Sequence, residues 1–414
     1  MSKNLIKPQT LKGFRDFLPA EKRKRDFVMG KIKQTFELFG FEPLETPTLE
    51  YASVLQGKYG KEADKLIYTF TDRGGRELGL RYDQSVPTAR FLAQYQGQLP
   101  QYFRRYQIQN VFRADKPQSG RYREFAQCDA DIYGSDSYLA DAEILAVYYA
   151  IYANLAVPKV VIKYNDRVTL IDNLRPFATK TVDVFSLIQS IDKLDKLSQE
   201  EVINELEQKG LRQNTAKQAI DAAKQTQPSA NLKQIIAAAK TLGVPQDSLE
   251  FSPILARGLD YYTGLIFEGF IPDYASGSVG GGGRYDNLIK QLCGIQIPAV
   301  GFGLGFDRTV EAITQLNLLP QELTGAKVLA AVFDNPQPAL KAAAALRQKN
   351  ISVEVFPATE KIDKQLKYAN KKGVPYVLMI GPDEAGKNVV TLKDMTTGKQ
   401  ESLTLDQAID VLTR

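Results

Sequence analysis

The sequence contains neither histidine nor tryptophan among its 414 residues, and it has only two cysteines, Cys128 and Cys293. Histidine is the one side chain that ordinarily changes charge near neutral pH. Its absence excludes Ser-His-Asp catalysis and histidine-ligated metal sites. Two cysteines are too few for a disulfide framework or a structural zinc site, so we interpret both as reduced thiols in or near the core. Any catalysis must depend on the positioning and electrostatics of other polar groups.

Long apolar runs are also absent. The apolar stretches are too short to cross a bilayer, and the first residues, MSKNLIKPQT, lack the apolar core of a signal peptide. With 43% hydrophobic and 24% charged residues, the composition is typical of a soluble globular protein, for which we expect a cytoplasmic location. The net charge of +5 permits a polyanionic partner without requiring one.

The chain is longer than one hydrophobic core usually supports, so two or three domains are expected. Residues 1–165 alternate helical and strand-like segments, with a helix predicted near 20–39. Residues 166–246 are rich in Leu, Gln, Lys and Ala at helical spacing. We interpret them as a helical insertion, because strand-like and glycine-rich segments resume from 251 to 309. From residue 325 strands alternate with helices, which predicts a small α/β domain with a mainly parallel sheet.

The stretch from Gln101 to Gly134 predicts a long antiparallel hairpin. Two strand-like runs, YFRRYQIQNVFRA and YREFAQCDADIYG, flank the polar loop DKPQSGR. Because side chains two apart in a strand share a face, Gln127, Asp129 and Asp131 lie on one side. Two carboxylates and an amide are costly to bury unless a ligand satisfies them. A ligand with an ammonium group and a polar ring would do so.

Four arginines occur at the ends of strand-like segments: Arg113, Arg121, Arg257 and Arg308. A guanidinium offers a planar fork of donors that suits a triphosphate and the charge that develops at its α-phosphorus. Each arginine alone is more often part of a surface ion pair, but together, among glycines and strands, they favour a nucleotide site. The run SVGGGGRYDNL is not a phosphate loop, because the GK[S/T] ending is missing, and GFGLGF lacks the dinucleotide spacing.

Further polar residues complete the candidate site: Asp83 and Ser85 in LRYDQSVPTAR, and Tyr261, Tyr262 and Tyr285. Taken together, LRYDQSVPTAR, NVFRADKPQSGRYREFAQCDADIYG, LARGLDYYTG, GGGGRYDNL and AVGFGLGFDR resemble the histidyl-tRNA synthetase family of class II aminoacyl-tRNA synthetases. The resemblance covers nearly the whole chain, with the helical insertion least distinctive. RGLDYYTG followed by GGRYDNL is specific to this family, whereas the arginine-bearing hairpin occurs throughout class II.

The resemblance implies an α+β fold, in which helices flank a class II antiparallel β-sheet. Residues 1–165 and 247–322 would form a discontinuous catalytic domain, 166–246 a helical insertion and 325–414 a C-terminal α/β anticodon-binding domain. The implied activity joins L-histidine to ATP as histidyl-adenylate, releasing pyrophosphate, and then transfers histidine to the 3′ end of tRNA-His, releasing AMP. Mg²⁺ would bind mainly through the ATP phosphates, with no structural metal. The resemblance also implies a homodimer, with Pro47 in the motif that forms the interface. It implies neither a membrane nor DNA as a partner.

The resemblance further implies a role for each residue that matches a family motif. Catalysis would involve Arg257, which stabilises negative charge as the substrate carboxylate attacks, and Arg113, which meets the α-phosphate. Arg121 would face the distal phosphates and Arg308 the other side of ATP. Asp83, Ser85 and Gln127 would bind the ammonium group of histidine. Asp131 and Tyr262 would recognise its imidazole, with Tyr261 and Tyr285 nearby. Lys116 and Gln118 would contact the acceptor end of the tRNA.

This sequence departs from the family pattern at three positions. Ala126 stands where the family often has histidine or tyrosine, and Asp83 and Asp131 are one methylene shorter than the glutamates of many bacterial members. We expect a shifted pocket. The alternative is the non-catalytic regulatory subunit of ATP phosphoribosyltransferase, which shares the catalytic fold and senses histidine. Such subunits lack the anticodon domain and usually the family arginine, so Arg257, Arg113 and the C-terminal domain favour an enzyme. A tRNA-binding scaffold without chemistry would not need the complete set of arginines and pocket polar groups.

Overall fold

The computed structural model describes residues 8–56, 64–116, 122–257, 261–275, 277–320, 323 and 325–413. The chain forms two compact units. The first comprises Met1–Asp16 with Arg25–Leu318, and the second Phe17–Lys24 with Leu319–Arg414. Among the described residues, no helix combines the length and apolar character needed to span a bilayer.

Helices and strands alternate irregularly through the first unit, and in the second unit they alternate except where β16 directly follows β15. The described helices are α1 Pro19–Leu38, α2 Ala52–Leu55, α3 Ser85–Tyr95, α4 Tyr138–Asn154, α5 Arg167–Leu174, α6 Val184–Ile191, α7 Gln199–Gln208, α8 Gln213–Lys224, α9 Ala230–Thr241, α10 Leu288–Cys293, α11 Phe306–Gln315, α12 Gln337–Gln348, α13 Ile362–Lys372, α14 Pro382–Lys387 and α15 Leu405–Thr413. The described strands are β1 Glu42–Pro43, β2 Leu49–Tyr51, β3 Thr69–Thr71, β4 Glu77–Leu80, β5 Phe103–Phe112, β6 Glu124–Tyr133, β7 Val161–Asp166, β8 Leu249–Phe251, β9 Leu265–Phe270, β10 Gly280–Arg284, β11 Ala299–Gly305, β12 Val328–Ala330, β13 Val353–Val355, β14 Tyr376–Met379, β15 Val390–Asp394 and β16 Gln400–Leu403.

The first unit is built on an eight-stranded sheet in the order β1-β5-β6-β11-β10-β9-β7-β8. The six inner strands pair antiparallel, and only the outer pairs β1–β5 and β7–β8 are parallel. The hairpin predicted between Gln101 and Gly134 is confirmed as β5 and β6, which pair from Phe103 with Tyr133 to Phe112 with Glu124. One face of this sheet is covered by α4, whose Tyr148 contacts Phe267 and Phe302 edge-on. The opposite face carries the polar residues of the hairpin.

The helices that follow β7 have a core of their own. Side chains from α5, α6, α7 and α8 pack together around Leu187, Ile188 and Ile220, which are fully or almost fully buried. The next helix, α9, packs against α4 beside the main sheet instead. Ala256, which lies beyond α9 in the sequence, joins the core of α5 to α8. The chain segment that carries Arg257 therefore returns to the surface of these helices.

The second unit has a five-stranded sheet in the order β13-β12-β14-β15-β16. Strands β13, β12 and β14 are parallel, as predicted, but β15 and β16 are antiparallel to their neighbours. The expectation of a mainly parallel sheet was therefore wrong for β15 and β16. The reason is that α14 and a tight turn connect β14, β15 and β16, and neither connection is long enough for the crossover that parallel pairing needs.

Candidate active site

Residues of three adjacent strands form cross-strand rows on the open face of the main sheet. One row aligns Arg105, Asp131 and Gly301, the next Gln107, Asp129 and Gly303, and the third Gln109, Gln127 and Gly305. We call these the Asp131, Asp129 and Gln127 rows. In each row the β5 and β6 residues are polar and the β11 residue is glycine. The polar side chains can therefore lean over a floor of bare backbone.

The Asp131 row contains a buried ion pair. Arg105 is 1% exposed, and its Nη2 lies 2.6 Å from Oδ2 of Asp131. The hydroxyl of Tyr285 donates to the other oxygen of Asp131 and lies 3.4 Å from the hydroxyl of Tyr133. Burial raises the pKa of Asp131, and the guanidinium of Arg105 opposes that rise. A side chain at Gly301 would overlap Asp131, so glycine is required there for the carboxylate to lie flat on the sheet.

Three tyrosines gather at the Asp131 row. The ring centroid of Tyr261 lies 4.7 Å from that of Tyr262 and 5.9 Å from that of Tyr285. A Cβ built on Gly283, which is paired with Gly301, would lie 2.9 Å from the ring of Tyr262. Burial raises the pKa of Tyr261 and Tyr285 well above the ordinary value, so both phenols stay protonated and can donate. The structure thus brings together all four residues predicted at the imidazole.

The Asp129 and Gln127 rows carry unsatisfied polar atoms. Gln127 Nε2 donates to Oδ2 of Asp129 at 2.9 Å. Within the described part of the chain, buried Oδ1 of Asp129 and Oε1 of Gln127 have no hydrogen-bond partner. Burial, opposed by Arg105 and reinforced by Asp131, raises the pKa of Asp129 to about 8. Two buried acceptors side by side are suited to a cationic donor such as an ammonium group.

The segment with Asp83 and Ser85 is tied to this part of the hairpin. Fully buried Gln84 donates through Nε2 to the backbone oxygens of Gln109, at 3.1 Å, and Gln127, at 2.9 Å. Ser85 begins α3, and Asp83 Oδ1 accepts from the backbone N–H of Val86 at 3.2 Å. The charge of Asp83 also helps to raise the pKa of Asp129. Asp83 therefore lies close to the two unsatisfied acceptors, as its predicted role requires.

Arg257 lies over the Asp129 row. Its Nη1 donates to the backbone oxygen of Phe267 at 3.0 Å and lies 3.2 Å from Oε1 of Glu268. A Cβ built on Gly281, which is paired with Gly303, would overlap Nη1 of Arg257. The guanidinium therefore covers bare backbone one step along the sheet from Asp131. Its carbon lies 5.7 Å from the ring centroid of Tyr262.

Arg113 and Arg308 lie at the far end of the rows, away from Asp131. Arg113 follows β5, and its Nε donates to the backbone oxygen of Tyr82 at 3.1 Å while its guanidinium stacks near Tyr82 and Phe125. Arg308 lies just beyond Gly305, and its Nη1 donates to the backbone oxygen of Ser278 at 2.7 Å. Each arginine keeps donors without a protein partner among the described residues.

Of the two predicted tRNA contacts, Lys116 and Gln118, the structure describes Lys116 alone. Lys116 is exposed at the end of the described part of the hairpin. Gln118 and Arg121 lie outside the described residues, and so do residues 258–260 of the RGLDYYTG motif. Ala126 is buried in β6, paired with Asn110. In the described ranges, no three His, Cys, Asp or Glu side chains converge as a metal site would require.

Similarity to known proteins settles the family. The histidyl-tRNA synthetase family model matches residues 13–309, and the model of an anticodon binding domain matches 327–414. This chain belongs to the histidyl-tRNA synthetase family. It is 40% identical to the histidine-tRNA ligase of Wolinella succinogenes over 99% of this chain and 98% of the relative. It is 38% identical to that of Cytophaga hutchinsonii over 98% of this chain and 99% of the relative.

A solved structure extends the family likeness to the fold. The crystal structure of histidyl-tRNA synthetase from Nostoc sp. PCC 7120 matches with a TM-score of 0.85 at 29% identity, covering 98% of this chain and 99% of that one. The predicted class II fold, an antiparallel sheet flanked by helices with a C-terminal anticodon-binding domain, is confirmed.

Sequence reasoning missed two residues of this histidyl-tRNA synthetase site. Arg105 neutralises Asp131, and Gln84 joins α3 to the hairpin. Arg105, Gln107 and Gln109 alternate in β5 as Gln127, Asp129 and Asp131 do in β6, so polar alternation in both strands was the signal for Arg105. Gln84 had no comparable signal, because its partners are backbone oxygens.

Proposed function

We propose that this member of the family is a histidine-tRNA ligase, which activates L-histidine with ATP and then transfers it to tRNA-His. The observation that carries the proposal is the order of groups along the sheet. Asp131 with its tyrosines comes first, then Asp129 beneath Arg257, then Gln127, and finally Arg113 and Arg308. The order matches a substrate with imidazole at one end and a carboxylate directed at a triphosphate.

In this proposal the imidazole end of the substrate is held by complementary polar groups. Imidazole has a donor at one nitrogen and an acceptor at the other. Asp131, paired with Arg105, accepts from one nitrogen, and the phenol of Tyr262 donates to the other, with Tyr261 and Tyr285 closing the pocket. A site of this kind rejects analogues strongly, because each missing partner leaves a buried polar group unpaired.

The reacting end of histidine is held one step along the sheet. Gln127, Asp83 and Ser85 bind the ammonium group, which places the carboxylate under Arg257. The carboxylate oxygen attacks the α-phosphorus of ATP, the P–O bond to pyrophosphate breaks, and Arg257 and Arg113 stabilise the developing charge. A carboxylate is already ionised, so this step needs no general base, which fits a chain without histidine. Mg²⁺, held mainly through ATP, would neutralise phosphate charge.

The same proposal covers transfer and assembly. The 3′-terminal hydroxyl of tRNA-His attacks the carbonyl carbon of histidyl-adenylate and AMP leaves. Residues 1–165 and 247–322 act as the catalytic domain, 166–246 as the insertion, and 325–414 as the anticodon-binding domain. Pro47 is exposed beside exposed Leu49 and Tyr51, and this apolar surface suits a homodimer interface. The proposed location is the cytoplasm.

Amino-acid-dependent exchange of pyrophosphate into ATP tests the proposal. The purified protein is assayed with each amino acid in turn, and only histidine is expected to support exchange. Exchange supported by another amino acid would overturn the assigned substrate. Histidine binding by calorimetry without any exchange would favour the regulatory-subunit alternative, which the full-length likeness to ligases argues against. R257A should bind histidine normally yet lose about a hundred- to a thousandfold in exchange rate.

A further inference from the structure

Arg257 has an unusual backbone conformation. Its φ is +52°, in the left-handed region that a residue with a side chain rarely adopts. Five non-glycine residues in the described ranges have positive φ, and three of them are asparagines, which tolerate it best. An arginine held this way in a site requires support from its surroundings.

The support comes from the helices that follow β7. Asp192 directly follows α6, and its Oδ1 accepts hydrogen bonds from two successive backbone N–H groups, that of Ala256 at 3.2 Å and that of Arg257 at 2.8 Å. Two consecutive N–H groups aimed at one oxygen form an anion-binding concavity, which a left-handed residue helps to create. The carboxylate of Asp192 therefore fits the conformation that Arg257 adopts.

Two further residues clamp the same segment. The guanidinium of fully buried Arg167 donates to the backbone oxygen of Ala256 at 2.8 Å. Asn165 donates through Nδ2 to the backbone oxygens of Pro253, at 3.0 Å, and Leu255, at 2.9 Å. Both lie at the junction between β7 and α5. The backbone before Arg257 is thus held on both sides, while Asp192 alone among these groups bonds to Arg257 itself.

We infer that Asp192 is a positioning residue for the activation step, which makes the helical insertion part of the machinery that places Arg257. This inference rests on the proposed function. Asp192 fixes the backbone from which the Arg257 side chain extends, while Glu268 and the Phe267 carbonyl fix its guanidinium. If the N–H groups lose their acceptor, the loop relaxes and the guanidinium moves away from the α-phosphate. Histidine, bound in the Asp131 and Gln127 rows, is not affected.

The test compares D192A with D192N in histidine-dependent pyrophosphate exchange. Loss of the acceptor in D192A should lower kcat about ten- to a hundredfold and leave KM for histidine within twofold. D192N keeps an oxygen acceptor and should retain activity within about threefold of the parent. D195A, three residues beyond Asp192 and without a bond to this segment, removes an equal charge and should match the parent. Thermal unfolding is measured for every variant, and D192S replaces D192A if D192A does not fold.

A double-mutant cycle with Arg257 separates positioning from general damage. If Asp192 acts through Arg257, D192A should change the residual exchange rate of R257A less than twofold. Any of three results overturns the inference. The first is that D192A lowers the exchange rate of R257A by the same factor as that of the parent. The second is an exchange rate of D192A alone within twofold of the parent, and the third is that D192N loses as much exchange activity as D192A. Absence of histidine-dependent exchange in the parent protein would instead reject the proposed function, so the two failures are distinguishable.

Discussion

Arg104 and Arg105 are sequence neighbours with opposite surroundings. The Arg104 side chain is 36% exposed and pairs with Glu143, whereas that of Arg105 is 1% exposed and pairs with Asp131. R105M leaves a buried carboxylate without its cation, so we expect the free energy of unfolding in urea to fall by about 3–5 kcal/mol. R104M should cost less than about 1 kcal/mol, because exposed pairs contribute little. Similar losses in the two variants would contradict this account of the Asp131 row.

Asp129 should make stability depend on pH. Its folded pKa of about 8 exceeds the ordinary value, so the native state retains a proton that the unfolded chain has already released. Stability from this residue is therefore full below the ordinary carboxyl pKa and decreases as pH rises toward 8. Urea unfolding at pH 5, 6.5 and 8 should show the native protein losing stability relative to D129N across this window. A constant difference between the two proteins would reject the shift.

At the scale of elements, the absence of a side chain at Gly281 in β10 leaves the space that the guanidinium of Arg257 occupies. G281A puts a methyl group where Nη1 of Arg257 and the Phe267 carbonyl lie, so both the guanidinium and the backbone of β9 must move. We expect at least a tenfold loss of histidine-dependent exchange, together with a fall in the free energy of unfolding measured in urea. The control is G30A in α1, where a Cβ meets nothing within 4 Å. That variant should keep full activity and gain up to about 1 kcal/mol of stability, since alanine favours a helix over glycine.

Elements with local signals could be predicted from the sequence, and contacts distant along the chain could not. The β5–β6 hairpin and the shared face of Gln127, Asp129 and Asp131 follow from alternation around a turn. The direction of β15 did not follow from the sequence, because the composition of a strand does not determine whether it pairs parallel or antiparallel. The bond from Asp192 to Arg257 joins residues separated by three helices, and nothing in either local sequence announces it. The roles assigned to Arg113, Arg257 and Arg308 came from family resemblance and stay predictions.

At the scale of the whole molecule, activation and tRNA binding should separate between the two units. Lys367 and Lys371 are exposed one turn apart on α13, whereas Lys364 and Lys372 pair with Glu360 and Glu354. We expect these two lysines to contact phosphates of tRNA-His, with α13 as the contact surface. K367A/K371A should then raise KM for tRNA-His and reduce the salt dependence of tRNA binding by about two counterions, because each contacting lysine neutralises about one phosphate.

The pyrophosphate exchange of this variant should match the parent, since that reaction needs no tRNA. K341A/K349A removes the same charge from α12 and from the residue that directly follows it, and serves as the matched control, with unchanged charging kinetics. An equal rise in KM for both variants would indicate that only the overall charge matters and would reject α13 as the contact surface.

The regular spacing of the rows along the sheet fixes the distance between the groups that bind the two ends of the substrate. Asp131 and Gln127 are four residues apart in one extended strand, which fixes about 13 Å between the ends of the polar strip. A rigid strand does not stretch for a longer amino acid or shrink for a shorter one. A homologue of histidine with one extra methylene would carry its carboxylate past Arg257 even with its imidazole perfectly bound. Such a compound should act as a competitive inhibitor with respect to histidine, because the site selects for the length of the substrate as well as for its functional groups.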